Sequence, residues 1–148
     1  MPTVNKLLLS TQTSLLTTGL NSLANNSLAL SAAFDNTDGG AGDGYLLCDV
    51  ELAVTYGVAP TANTGVSVWL VQTQDGTNYE DGDASITPAK LPDVVFALRA
   101  VTTAQRIIRR VLLPQGLMKA LLKNDGTGQA MAASANTLKI RPVTVQGV

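Results

Sequence analysis

The stretch VQTQDGTNYEDGDAS, residues 71–85, concentrates oxygen donors: Asp75, Asn78, Glu80, Asp81 and Asp83 fall within nine residues, beside two of the thirteen glycines. Carboxylate and carboxamide oxygens at this density are the ligand type of Ca²⁺. The spacing differs from an EF-hand loop, in which alternate ligands surround a fixed Gly and close on a Glu. Asp-Gly pairs and Asn also serve ordinary turns, because they tolerate positive φ. The stretch reads first as a connector between strands, with a calcium site and a ligand contact as alternatives.

Other reactive groupings are sparse. Asp49 and Glu51 alternate along one strand pattern, which sets them roughly 6.5–7 Å apart on one face. Two carboxylates could serve glycoside hydrolysis, but nothing else in the chain suggests a sugar cleft, and a solvated strand face accounts for them. The chain has no histidine, which removes Ser-His-Asp and Cys-His catalysis and the commonest transition-metal ligand. Cys48 is alone, so it forms no internal disulfide, and its apolar setting marks a core residue. The glycine-rich runs DGGAGDG and DGTGQ lack the Lys and the βαβ context of a phosphate loop and read as turns. No enzyme activity, cofactor or metal is expected, apart from the calcium alternative.

The elements that carry these residues are strands. YLLCDVELAVTY puts Leu46, Cys48, Val50, Leu52, Val54 and Tyr56 on one face and Asp49, Glu51 and Thr55 on the other. SLALSAAF sets Leu28, Leu30, Ala32 and Phe34 against Ser27 and Ser31. VSVWLVQTQ is apolar on both faces, Val66, Val68 and Leu70 opposing Trp69 and Val71, as in a strand covered on both sides. DVVFALRAV and NTLKIRPVTV alternate in the same way, and Pro142 predicts an edge or a bulge.

Residues 102–124 leave more than one reading. Thr102 and Gln105 mimic a capping box and Ile107, Ile108, Val111 and Leu112 have helical spacing, but Pro114 and Gly116 interrupt the run. Two strands are expected, with a kink or bulge near Arg109 and Arg110. Some eight short strands between turn signals predict an all-β sandwich or jelly roll over residues 26–148. Residues 1–25 predict an extended N-terminal arm or edge strand that gains order by lying on something else; completing its own sheet is the alternative.

Charge and hydropathy bound the partners. Only 14% of residues are charged and the formal net charge is −1, so little self-repulsion opposes association. Residues 1–88 hold nine acids and one base, net −8; residues 89–148 hold nine bases and two acids, net +7. Acidic and basic strands side by side in one fold would account for this, as would a basic half facing an acidic neighbour. The bases are scattered and nearly devoid of aromatics, so no nucleic-acid partner is expected. No continuous apolar run suits a signal peptide or a membrane span, so no membrane partner is expected either.

The succession YLLCDVELAVTYG with AP after it, VSVWLVQTQDGTNYEDGD, LLPQGLMKALLKNDGTGQAMAAS and NTLKIRPV resembles small β-sandwich proteins from the head gene clusters of tailed bacteriophages, the capsid decoration or cement proteins. The likeness spans about residues 26–145 and rests on strand order and on the DGTNYEDG and Leu-Pro-x-Gly turns. It implies a jelly-roll-like antiparallel β-sandwich that serves as a structural virion protein on the capsid exterior, assembled in the host cytoplasm. Its implied partners are the major capsid protein, whose subunits it bridges, and further copies of itself as a homodimer or homotrimer. In that setting Leu7, Leu8, Leu9, Leu15, Leu16, Arg109 and Arg110 are the expected contact residues. Removing residues 1–20 is then expected to release the protein from particles without unfolding it. The alternative is a carbohydrate- or receptor-binding β-sandwich of a phage tail or baseplate, for which Tyr79 and Tyr45 are the aromatics left over after packing.

Overall fold

Alternating apolar residues settle into ten β-strands in the computed structural model, which describes residues 5–147. These are β1 Asn5–Leu9, β2 Thr13–Leu16, β3 Leu28–Leu30, β4 Phe34–Asn36, β5 Leu47–Val54, β6 Gly65–Gln72, β7 Val94–Ala97, β8 Gln105–Leu112, β9 Gly116–Asp125 and β10 Thr137–Gly147. One turn of 3-10 helix, Thr18–Leu20, follows β2. β1 and β2 pair with successive parts of β10, and β3 and β4 with successive parts of β9. One antiparallel sheet therefore runs β1/β2, β10, β5, β8, and the other β3/β4, β9, β6, β7. That interleaved order is the jelly roll, two Greek keys folded into facing sheets.

The core lies between the sheets, where Cys48, Val50, Leu52 and Val54 of β5 meet Val66, Val68 and Leu70 of β6, Phe96, Met118, Leu122, Leu138 and Ile140. The period-two faces of β5, β6, β7 and β10 are the ones their sequences predict, with Leu46 the exception: it is exposed just before β5 begins. β6 is buried on both faces because residues 73–93 fold across the outside of its sheet. There Trp69, Val71 and Leu121 form a second cluster with Leu28, Leu30 and Tyr79, and Trp69 Nε1 donates to Lys90 O at 2.9 Å.

Several expectations are corrected. SLALSAAF breaks into β3 and β4, and its faces exchange: Ala29 and Ser31 point into the core while Leu28 and Leu30 pack outside, the parity changing before Phe34. Ser31 Oγ accepts from Ala120 N, which satisfies the buried hydroxyl. Residues 102–124 are two strands, but β8 keeps unbroken register with β5, so there is no bulge near Arg109–Arg110. Gln105 caps no helix. Its buried amide receives Arg99 N at 2.8 Å and donates to Arg99 O at 2.9 Å, closing the β7–β8 connection as a ladder rung would.

Pro142 occupies an interior strand, not an edge. Its carbonyl accepts from Ser10 N at 2.9 Å, so its ring nitrogen faces the same side, where the partner changes from β1 to β2. The missing N–H therefore falls at a gap in the ladder, between the β1 and β2 pairings.

Gly65 shows how closely β6 and β7 approach. A Cβ there would stand 2.6 Å from Phe96 O, a backbone atom that cannot swing aside. Gly65→Ala is expected to lower stability by about 1–3 kcal/mol through overpacking, read as an earlier midpoint in urea unfolding.

Candidate functional site

The acidic stretch is a connector whose carboxylates are consumed by its own turns. Asp75 Oδ1 accepts from Thr77 N (2.8 Å), Asn78 N (2.7 Å) and Thr73 Oγ1 (3.0 Å), while Oδ2 takes Asn78 Nδ2 (2.6 Å). Glu80 Oε2 accepts from Gln72 N at 3.1 Å and pairs with Lys90 Nζ at 2.7 Å. Asp83 Oδ1 holds Ser85 N and Ile86 N, and Asp81 Oδ2 meets Ala89 N at 3.4 Å. Each side chain serves a different local turn, and among the described residues no three acidic, His or Cys side chains gather as a metal shell. The calcium alternative, Asp75, Asn78, Glu80, Asp81 and Asp83, thus finds no converging cage here.

These bonds favour the ionised form. Asp75 lies well below the usual carboxylate range, chiefly through the Asn78 and Thr77 amides. Asp83 is lowered mainly by Ser85. Burial works to raise Glu80, but Lys90 and the Gln72 amide outweigh it. A depressed folded pKa adds stability that is complete above the unfolded value, about 3.9 for Asp, and is lost as pH falls through the folded value. The melting-temperature advantage of wild type over Asp75→Asn is therefore expected to be constant near neutrality and to shrink below about pH 4. A gap that widens on acidification would contradict the assignment.

Asp49 and Glu51 share the outer face of β5 as their spacing requires, but each is occupied. Arg110 grips Asp49 with Nε–Oδ1 at 2.7 Å and Nη2–Oδ2 at 2.9 Å, a bidentate pair across the β5–β8 ladder. Glu51 is buried, with Arg106 Nε at 4.0 Å. Of the two arginines expected at an interface, Arg110 is thus committed within the chain. Arg109 is exposed and, among the described residues, donates only to Ile108 O. Cys48 is sealed in the core, where burial, with a smaller contribution from Asp49, pushes its thiol up to about 12. A thiol held protonated is a poor nucleophile.

The predicted contact leucines divide into two groups. Leu16 is a core residue, as is Leu20 of the helical turn, and Leu15 packs against the same core. These cannot dock elsewhere without dismantling the sandwich. Leu7, Leu8 and Leu9 of β1 are 58%, 44% and 49% exposed. β1 lies on its own chain's β10, so residues 5–16 form an edge strand in two pieces and not a free arm. β5 accompanies β10 only as far as Val143, opposite Leu47. Beyond that point β1 and β10 continue as a two-stranded ribbon, with Leu7 opposite Val145, itself 56% exposed. Val145 is missed from sequence because nothing local reveals that the two ends of the chain pair.

At the end of β10 away from the ribbon, the segment after the helical turn is held by the buried carboxamides of Asn124 and Asn136. Asn124 Nδ2 donates to Leu23 O and Gln129 O at 3.0 and 2.8 Å, while its Oδ1 accepts from Tyr56 OH and Thr127 Oγ1 at 2.8 and 2.7 Å. Asn136 Nδ2 reaches Asn21 Oδ1 at 3.3 Å and Ala132 O at 2.7 Å, and its Oδ1 accepts from Thr55 N at 3.0 Å. Asn25 and Asn26 accept from Gly128 N and Gly126 N, both at 2.9 Å. Much of the chain's Asn content is thus spent stitching residues 21–27 to residues 124–136.

The aromatics offer little open ring surface. Phe34, Tyr56, Trp69 and Phe96 are buried; Tyr79 is half-buried in the outer cluster with Lys119 Nζ 4.2 Å from its ring centroid. Tyr45 is half-buried beside the β4–β5 connection. Among the described residues no helix is long and apolar enough to cross a membrane.

No protein-family model matches this chain, and no curated protein matches it. Among solved structures it is similar to one described as Xyl-CBM35 in complex with a glucuronic acid containing disaccharide, at 17% identity over 95% of each chain and a TM-score of 0.40.

Proposed function

We propose that this protein is a non-catalytic assembly subunit, a decoration or cement protein that binds the outside of a phage capsid and bridges major capsid protein subunits. One observation carries the reading: the β1–β10 ribbon runs past β5 with Leu7, Leu8, Leu9 and Val145 exposed on an unpaired strand edge. A two-stranded ribbon is marginal in water by itself, and an apolar edge strand invites pairing with another chain. Burying those side chains against a shell subunit would stabilise ribbon and shell together, and many weak contacts multiply over a symmetric surface. The carbohydrate-binding alternative calls for an exposed aromatic platform, whereas the large rings here are used in packing.

The test is co-sedimentation with shells of the cognate major capsid protein. Wild type is expected to bind, and Leu7→Ser/Leu8→Ser/Leu9→Ser to lose occupancy by roughly a hundredfold in affinity, given about 1 kcal/mol or more of apolar contact per leucine. The substitutions fall on exposed positions, so the melting temperature should hardly move. Equal binding by both proteins would sink the proposal, and glycan-array binding in its place would favour the alternative.

A further inference from the structure

The sequence's uneven charge becomes an uneven distribution in space. β5 and β8 align Leu47 with Leu112 and Val54 with Gln105. The end marked by Leu47 carries the 37–46 connection, the 113–115 turn and, through Thr73 N to Leu117 O at 3.2 Å, the start of residues 73–93. Asp35, Asp38, Asp43 and Asp75 lie there. At the Gln105 end, the β7–β8 connection brings Arg99 beside Arg109 of β8, while Arg106 borders the same place with its guanidinium turned to Glu51 on the outer face. Together with Ala97, Gln105 and Ile107 they line an open cleft of about 320 Å³ at the rim between the two sheets.

No carboxylate lines this cleft, and among the described residues Arg99 and Arg109 make no ion pair; Arg106 reaches Glu51 only at 4.0 Å. Gln105 holds the Arg99 backbone in place through its two amide bonds, so the cleft has one fixed wall. Guanidinium forks set around a concavity suit carboxylates, which they bind in bidentate fashion.

We infer that the cleft between Arg99 and Arg109 receives the acidic 37–44 connection of a second copy of this chain, joining copies head to tail. Residues 38–44, DGGAGDG, carry Asp38 and Asp43 as their only charged side chains. Both aspartates are exposed. Asn36, buried beneath them, donates to Tyr45 O and Pro114 O at 2.9 and 2.8 Å and anchors the connection to the body. The inference rests on the assembly reading and names a partner for it. Because donor and acceptor surfaces are different patches, the contact is heterologous and propagates into a ring or an open chain.

Sedimentation of the full chain tests this. Association beyond the monomer is expected at about 20 mM salt and its loss at about 500 mM, since exposed ion pairs are screened. Arg99→Gln/Arg109→Gln and Asp38→Asn/Asp43→Asn should each remain monomeric while melting like wild type. Mixed in equal amounts they should form dimers and nothing larger, because one supplies only the acidic loop and the other only the cleft. A monomeric wild type at low salt, a variant that associates like wild type, or a mixture that stays monomeric would each overturn the inference. All proteins carry the Leu7→Ser/Leu8→Ser/Leu9→Ser background in a parallel series, so that failure here is separable from failure of the ribbon to bind shells.

Discussion

A chain lacking residues 1–20 should be largely unfolded, whereas the Leu7→Ser/Leu8→Ser/Leu9→Ser variant should unfold at nearly the wild-type denaturant midpoint. The truncation removes Leu16 and Leu20, both buried in the central core, together with the β2 rungs on β10. Losing a buried leucine side chain costs about 2–5 kcal/mol even when the backbone stays. Two such losses plus a strand approach the whole stability of a domain, about 5–15 kcal/mol. The serine variant alters side chains that already face solvent, so its cost to folding is small. Circular dichroism and urea unfolding distinguish the two, and a truncated chain with a wild-type midpoint would refute the placement of β2 and the helical turn. The same contrast bears on function. Loss of particle binding in the truncation would follow from unfolding alone, so only the serine variant reports on the ribbon.

Asn124→Leu should cost about 4 kcal/mol, far more than a surface substitution, because a buried group stripped of its partner costs about 1–3 kcal/mol. Leucine matches the volume but leaves Tyr56 OH and Leu23 O without the bonds that Asn124 provides. Tyr56→Phe should cost about 1 kcal/mol, since it removes one bond and leaves Asn124 Oδ1 with Thr127 Oγ1. In the double variant the penalties should be less than additive, because the orphaned Tyr56 hydroxyl is gone. Additive costs measured by chemical denaturation would mean that the two side chains act independently. Asn124 also fixes residue 23, so its loss should loosen the segment leading back to β2 and speed amide exchange at residues 16–23.

Strand identity and core faces were legible because they are local. Alternation has a period of two residues, and Cys48, Val50, Leu52 and Val54 declare one face whatever they pair with. The two-sided burial of Trp69 and Val71 was legible for the same reason, as was the turn character of DGTNYEDG. An all-β sandwich or jelly roll followed from counting such segments between turn signals, the resemblance favoured the jelly roll, and the strand order bears it out. The decoration-protein reading came from resemblance and stands as a proposal.

What tertiary structure decided was everything that depends on partners distant in sequence. Leu7 and Leu16 are alike by composition and local setting; only the end of β5 at Val143 leaves one in an overhanging ribbon while the other is in the core. Pro142 looked like an edge marker, yet it sits inside a sheet because β1 gives way to β2 beside it. Arg109 and Arg110 are neighbours in sequence, but alternation points one toward Asp49 and the other to the rim cleft with Arg99. A side chain's chemistry is written in its own residue, whereas its burial and its partners depend on register, which closes over separations of tens to more than a hundred residues and leaves no periodic trace in the chain.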